Sequence, residues 1–121
     1  MPSRESELLR VELRCDSSAP GHARRAVGEL EALDPVRDDA ILLVSELVAT
    51  AVGNGSPNGP ATVELTATEV PQGVQFVVET DRAGRGPEPA AMVTWLVGAL
   101  AQRWGVHRRD GTAKLWAELA V

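Results

Sequence analysis

Three polar side chains carry the clearest chemical potential in this sequence. Glu46, Thr50 and Asn54 follow one another at intervals of four residues. On an α-helix that interval stacks them along one edge. Glu46 is also an acid set among apolar turns, in LLVSELVATAV. The residues themselves leave two readings: a solvated helix edge, or a carboxylate facing a cleft.

The element that must carry them is a long helix over Asp34–Gly55. Asp34 is a capping type, and Pro35 suits the first helical position, where its missing N–H removes nothing. Asp38 and Asp39 put negative charge near the positive end of the helix dipole. Ala40, Ile41, Val44, Leu47, Val48, Ala51 and Val52 recur at spacings of three and four, which makes one wide apolar face. Gly53 and Gly55 end the pattern.

The remaining elements follow from hydrophobic period. Leu9, Val11, Leu13 and Cys15 alternate with charged residues, the mark of a half-buried strand. Asp16, Ser17 and Ser18 offer turn and capping groups before a first helix, with Pro20 in its opening turn. The stripe of that helix is Ala19, Ala23, Ala26, Val27, Leu30 and Leu33, and Arg24 and Arg25 lie off it. Ala61, Val63, Leu65 and Ala67 make a second strand. Pro71-Gln72-Gly73 is a tight turn, and Val74, Phe76 and Val78 a third strand. Asp81 to Pro89 is a glycine- and proline-rich loop. A third helix is expected over Ala90–Trp104, with Gly105 as its C-terminal cap. Val106 to Arg109, the turn Asp110-Gly111, and Leu115, Ala117, Leu119 and Val121 read as a closing hairpin. The sum is an α/β chain: a two-layer sandwich of an antiparallel-rich mixed sheet with three helices on one face.

With 121 residues, the chain (1–121) reads as one domain large enough for a real core. The net charge is −5, with acids and bases interspersed. That argues against a general nucleic-acid or membrane binder. The single Cys15 forms no internal disulfide, and no Cys/His cluster suits zinc. No apolar run has the length of a membrane span or the form of a signal peptide, and a reducing cytoplasm is the expected location.

The segment SELVATAVGNG resembles the SELVTNAVRHG type of segment in the small bacterial anti-sigma-factor serine kinases, which are histidine-kinase-like ATPases with the Bergerat fold. Pro20, Ala23, Arg24, Val27 and Leu30 are similar to the PxxARxxVxxxL first helix of that family, with the last apolar positions one residue early. LVGALAQRWG and LWAEL resemble its LVxxLAxRWG and VWxEL close, through Arg103, Trp104, Gly105 and Trp116. The likeness spans nearly the whole chain.

The resemblance implies roles. Glu46 falls on the family's base or water-orienting glutamate. Asp81 falls on the aspartate that reads adenine, and Gly84 and Gly86 on the glycines that let backbone approach the nucleotide, with one extra residue before the first. The magnesium-holding asparagine is replaced by Thr50, a shorter and poorer ligand, while Asn54 stands one turn on as a substitute. Ala91, Met92 and Val93 occupy the place of the family's Gly-Arg-Gly phosphate lid, where side chains crowd the backbone N–H surface. Arg82 and Arg85 are the nearby cations.

The expected function is therefore that of a degenerate anti-sigma-factor-kinase-like regulator. It acts by protein–protein binding and has no cofactor or only weak ATP or ADP with magnesium. The alternative is an active ATP-dependent protein serine kinase that phosphorylates an anti-sigma-factor antagonist. The expected partners are a sigma factor or such an antagonist, or a second copy in a homodimer, with Met92 and Trp95 at the edge of the third helix's stripe as a partner or self-association surface. Neither nucleic acid nor membrane is an expected partner. Packing at the core margin is the other reading of Met92 and Trp95.

Overall fold

The computed structural model describes residues 6–53, 62–80, 91–109 and 112–121. The elements run β1 (Glu7–Arg14), α1 (Ala19–Gly28), α2 (Arg37–Gly53), β2 (Thr62–Val70), β3 (Gly73–Thr80), α3 (Ala91–Leu100), β4 (Arg103–Arg109) and β5 (Thr112–Ala120). A 3₁₀ segment, Glu31–Val36, leads into α2.

The strands form one sheet in the order β1-β2-β3-β5-β4. The sequence leaves room for a mixed sheet, but every described pairing is antiparallel. Connection length is part of the reason. Val70 pairs with Gly73 and Arg109 with Thr112, so each of these hairpins closes over two residues. A parallel crossover needs a dozen or more.

Alternation sorts the sheet into two faces. Leu13, Val63, Leu65, Ala67, Val74, Phe76, Val78, Leu115, Ala117 and Leu119 are buried on the side that carries the helices. They meet Ala19, Ala23 and Val27 of α1, Ala40, Leu43, Val44, Leu47, Val48 and Ala51 of α2, and Val97 of α3 in one core. α1 packs on β1, α2 on the central strands, and α3 on β4. The opposite face carries Arg10, Glu12 and Arg14 of β1, Thr62, Glu64 and Thr66 of β2, and Lys114, Trp116 and Glu118 of β5.

Three boundaries differ from the sequence reading. α1 ends at Gly28, and Leu30 and Leu33 belong to the turn and 3₁₀ segment that follow. Leu33 still reaches the core, so its apolar character reflects burial without a continued helix. α2 begins at Arg37, and Pro35 lies in the 3₁₀ segment. The N–H of Leu33 bonds the carbonyl of Leu30 at 3.1 Å, an i to i+3 bond, and a 3₁₀ turn of this kind is a common lead into an α-helix. α3 stops at Leu100, and Trp104 and Gly105 lie inside β4. The N–H of Ala101 still bonds the carbonyl of Val97 at 2.8 Å, but the N–H of Gln102 bonds the carbonyl of Glu118 at 2.9 Å. The neighbouring strand captures the chain two residues after the helix ends.

Both later tryptophans pack against the sheet. Trp104 joins the core margin, with its Nε1 3.6 Å from where a Cβ on Gly98 would stand. Trp116 lies over Gly105 on the other face, so close that a Cβ there would fall 2.9 Å from its Nε1. Only glycine leaves the indole room to lie flat on β4.

Candidate functional site

α2 positions the chemistry read from the sequence. Its core side is fixed by the buried residues from Ala40 to Ala51. The edge toward α1 is fixed by two contacts: Arg24 donates to Ser45 Oγ at 2.8 Å, and Ile41 Cδ1 lies against Gly28. At about 100° per residue, Glu46 and Thr50 fall on the opposite edge of the helix. That edge looks toward α3, because α1 sits over β1 at one end of the sheet and α3 over β4 at the other.

Glu46 and Thr50 are both half-buried. Among the described residues, no side chain pairs with Glu46. The carboxylate stands one turn from a hydroxyl, on the edge of α2 that looks toward α3. Such a pair can hold a water or a substrate hydroxyl, and Thr50 can give a metal ion only a single oxygen. Asn54 follows the last residue of α2 and lies outside the described residues, as do Asp81, Arg82, Gly84, Arg85 and Gly86. The side chains of Ala91, Met92 and Val93 also lie outside them. The structure thus brings Glu46 and Thr50 together as the sequence spacing implies. Among the described residues, no group of three or more acids, histidines or cysteines is arranged to hold a metal.

Trp95 is the notable hydrophobic side chain of the helix layer, at 72% exposed. Val97, two residues on, is buried toward the sheet, so Trp95 projects away from it. This excludes the reading of Trp95 as core margin. α3 carries no charged residue, and Gly98 and Ala99 beside Trp95 are exposed too. Leu42 on the outer side of α2 is 43% exposed.

Several polar arrangements escaped the sequence reading. Arg103 donates from Nε and Nη2 to the two carboxylate oxygens of Glu118, at 2.6 and 3.0 Å. The Glu118 side chain is only 6% exposed while that of Arg103 is 71% exposed. The pair borders a cavity of about 430 Å³ with Val70, Pro71, Gln72 and Gln102. Further along the helix-free face, Glu12, Glu64 and Glu79 stand in one row across three strands. Like charges in a row repel. The row is relieved by Arg10, which bonds Glu64 at 2.6 Å, by Thr62, which donates to Glu12 at 2.8 Å, and by Lys114 at 3.9 Å from Glu79. Only the strand register, absent from local pattern, would have exposed these rows.

Three groups on and beside β1 have shifted titration. A side-chain hydrogen bond from Ser18, and then its backbone N–H, hold the Asp16 carboxyl below its usual range. Burial, and then the charge of Asp16, push the Cys15 thiol up. The hydrogen bond to Glu7 and the charge of Glu64 raise Arg10.

No protein-family model matches the chain, and no curated protein is significantly similar to it. Among the described residues no helix is long and apolar enough to cross a membrane.

Proposed function

We propose that this chain is a degenerate relative of the anti-sigma-factor serine kinases, a regulator that acts by binding another protein and holds ATP or ADP weakly or not at all. The observation that carries this reading is the pair Glu46 and Thr50 on the edge of α2 that looks toward α3. The resemblance aligns Glu46 with the family's base, and one turn on it aligns Thr50 with the family's magnesium-holding asparagine. Magnesium demands near-octahedral oxygen ligation shared with phosphates, and a single short hydroxyl is a poor start. The exposed Trp95 on an uncharged helix supports the protein-binding half of the reading, since a projecting indole is a common anchor at interfaces. The partner expected from the resemblance is a sigma factor or an anti-sigma-factor antagonist.

Calorimetry of ATP and ADP binding, with and without magnesium, tests this directly. The reading expects no magnesium-dependent binding tighter than about millimolar, a free energy of about −4 kcal/mol. Micromolar, magnesium-dependent binding would refute it.

One feature favours the kinase as a second reading. Glu46 is half-buried and, among the described residues, has no side-chain partner, which suits a group that must accept or orient a hydroxyl proton. Phosphoryl transfer to the serine of an antagonist, lost in Glu46→Gln, would establish it. A chain without activity in both forms would leave the binding platform.

A further inference from the structure

The sequence at the junction of α3 and β4 suits two different backbones. Leu96, Val97, Leu100, Ala101 and Trp104 keep a helical spacing across it. Ala101, Gln102 and Arg103 are good helix formers, and Gly105 is the residue type that ends a helix in a left-handed turn. Yet the helix stops at Leu100, and Arg103, Trp104 and Gly105 pair with Glu118, Ala117 and Trp116 of β5. Glu118 holds the chain in this second form. Its backbone carbonyl accepts the N–H of Gln102 at 2.9 Å, and its carboxylate accepts Nε and Nη2 of Arg103 at 2.6 and 3.0 Å. Ala101 stands between the two, with its own N–H still bonded to the carbonyl of Val97.

Burial does not choose between the two forms. Val97 is buried, and Leu100, Ala101 and Trp104 pack against the core. On a helix continued through Trp104 these four would share one face, so Trp104 would keep to the core side. Gln102 and Arg103 are exposed, and they lie off that face. What separates the forms is reach. A helix rises about 1.5 Å per residue and a strand about 3.3 Å, so coiling residues 101–104 would shorten the chain by about 7 Å. That would draw Arg103, Trp104 and Gly105 away from β5.

We propose that the α3–β4 junction is a conformational switch latched by Glu118. In the state seen here the latch holds the start of β4 on β5. In the other state α3 runs on through Trp104, ends at Gly105, and uncovers β5 from Trp116 to Glu118. The Arg103–Glu118 pair and the Gln102 hydrogen bond are both lost in that change, so they set the balance between the states. A ligand shifts such a balance only by binding one state better. A partner that grips the longer α3, or one that adds a strand to the uncovered part of β5, would therefore drive the same transition. The junction is separate from Glu46 and Thr50 on α2, so its failure and that of the nucleotide reading are distinguishable.

The test is amide hydrogen exchange and saturation-transfer carbon shifts on the isotope-labelled full chain, on Arg103→Ala, and on the double variant Arg103→Ala, Ala101→Gly. Arg103 is exposed, and amide dispersion checks that each variant folds. Releasing the latch in Arg103→Ala should speed exchange of the amides from Gln102 to Gly105 by about tenfold or more. The open state of that variant should show helical carbon shifts over residues 101–104. Adding Ala101→Gly should then slow the same amides by about fivefold, because glycine disfavours a helix interior. Simple fraying of β4 predicts the opposite sign, since glycine gives an open chain more freedom. Unchanged exchange in Arg103→Ala, exchange that is unchanged or faster on adding Ala101→Gly, or an open state whose carbon shifts are absent or not helical would each overturn the proposal.

Discussion

Gly73→Ala should be among the most damaging single-methyl additions in this protein. Gly73 opens β3 directly after the Pro71–Gln72 turn and pairs with Ala120 of β5. A Cβ at Gly73 would stand 1.9 Å from the carbonyl oxygen of Leu119 and 2.9 Å from its carbon, where real contacts stay above 3.0 Å. The obstacle is backbone inside the ladder, so no side-chain rotation relieves it. The β3–β5 pairing must open by about an ångström at this end. That strains one or two ladder hydrogen bonds and loosens the buried pair Val74 and Leu119 beside them. At about 1–1.5 kcal/mol for each lost bond plus some loss of packing, the expected destabilisation is about 2–4 kcal/mol. For a domain of this size, that lowers the thermal midpoint by about 6–20 °C. Gly98→Ala is the control. Its added carbon would sit at ordinary contact distance, 3.6 Å from Trp104, within a helix. It should leave stability unchanged or raise it by up to about 1 kcal/mol. Urea and thermal unfolding of both variants measure the difference. A Gly73→Ala protein within about 0.5 kcal/mol of the parent would refute the reasoning, because it would mean the strands do not approach this closely.

Thr50→Asn should restore the amide that the anti-sigma-factor kinase resemblance calls for. The expected outcome is magnesium-dependent ATP binding about tenfold or more tighter than in the parent, read by calorimetry. Arg103→Ala should cost about 1–3 kcal/mol by leaving the nearly buried Glu118 carboxylate unpaired, and Glu118→Ala added to it should recover part of the loss, as a double-mutant cycle in urea would report. The Asp16 carboxyl is depressed below its usual 3.8, so its contribution is complete above that value and fades as pH falls through the lower folded-state value. Asp16→Asn should therefore make the urea midpoint less sensitive to pH below about 4. The same variant should speed alkylation of Cys15 near pH 8, because the Asp16 charge helps hold that thiol protonated.

Much of the fold is legible locally. The alternation of Leu9, Val11 and Leu13, of Val63, Leu65 and Ala67, and of Val74, Phe76 and Val78 names three strands, and each matches an observed strand. The α2 stripe is readable for the same reason, since burial on one side imposes a helical period. The boundaries were less legible. Leu96, Val97, Leu100, Ala101 and Trp104 keep a helical spacing to the end, yet the hydrogen bond from Gln102 to Glu118 pulls the chain into the sheet. A partner 16 residues further along the chain has no local signature.

The candidate site divides in the same way. Spacing alone put Glu46 and Thr50 on one helix edge, because 3.6 residues per turn is a property of the backbone. That this edge looks toward α3 depends on α1 and α3 packing at opposite ends of the sheet. The exposure of Trp95 is likewise tertiary, decided by which side of α3 meets β4 and the core. So is the Arg103–Glu118 pair, which exists because register sets β4 and β5 side by side. Sequence determined the periods, turns and apolar faces, since these arise from covalent geometry and the demand for burial. The tertiary structure decided which polar groups meet, because strand order and register bring together residues that no local spacing connects.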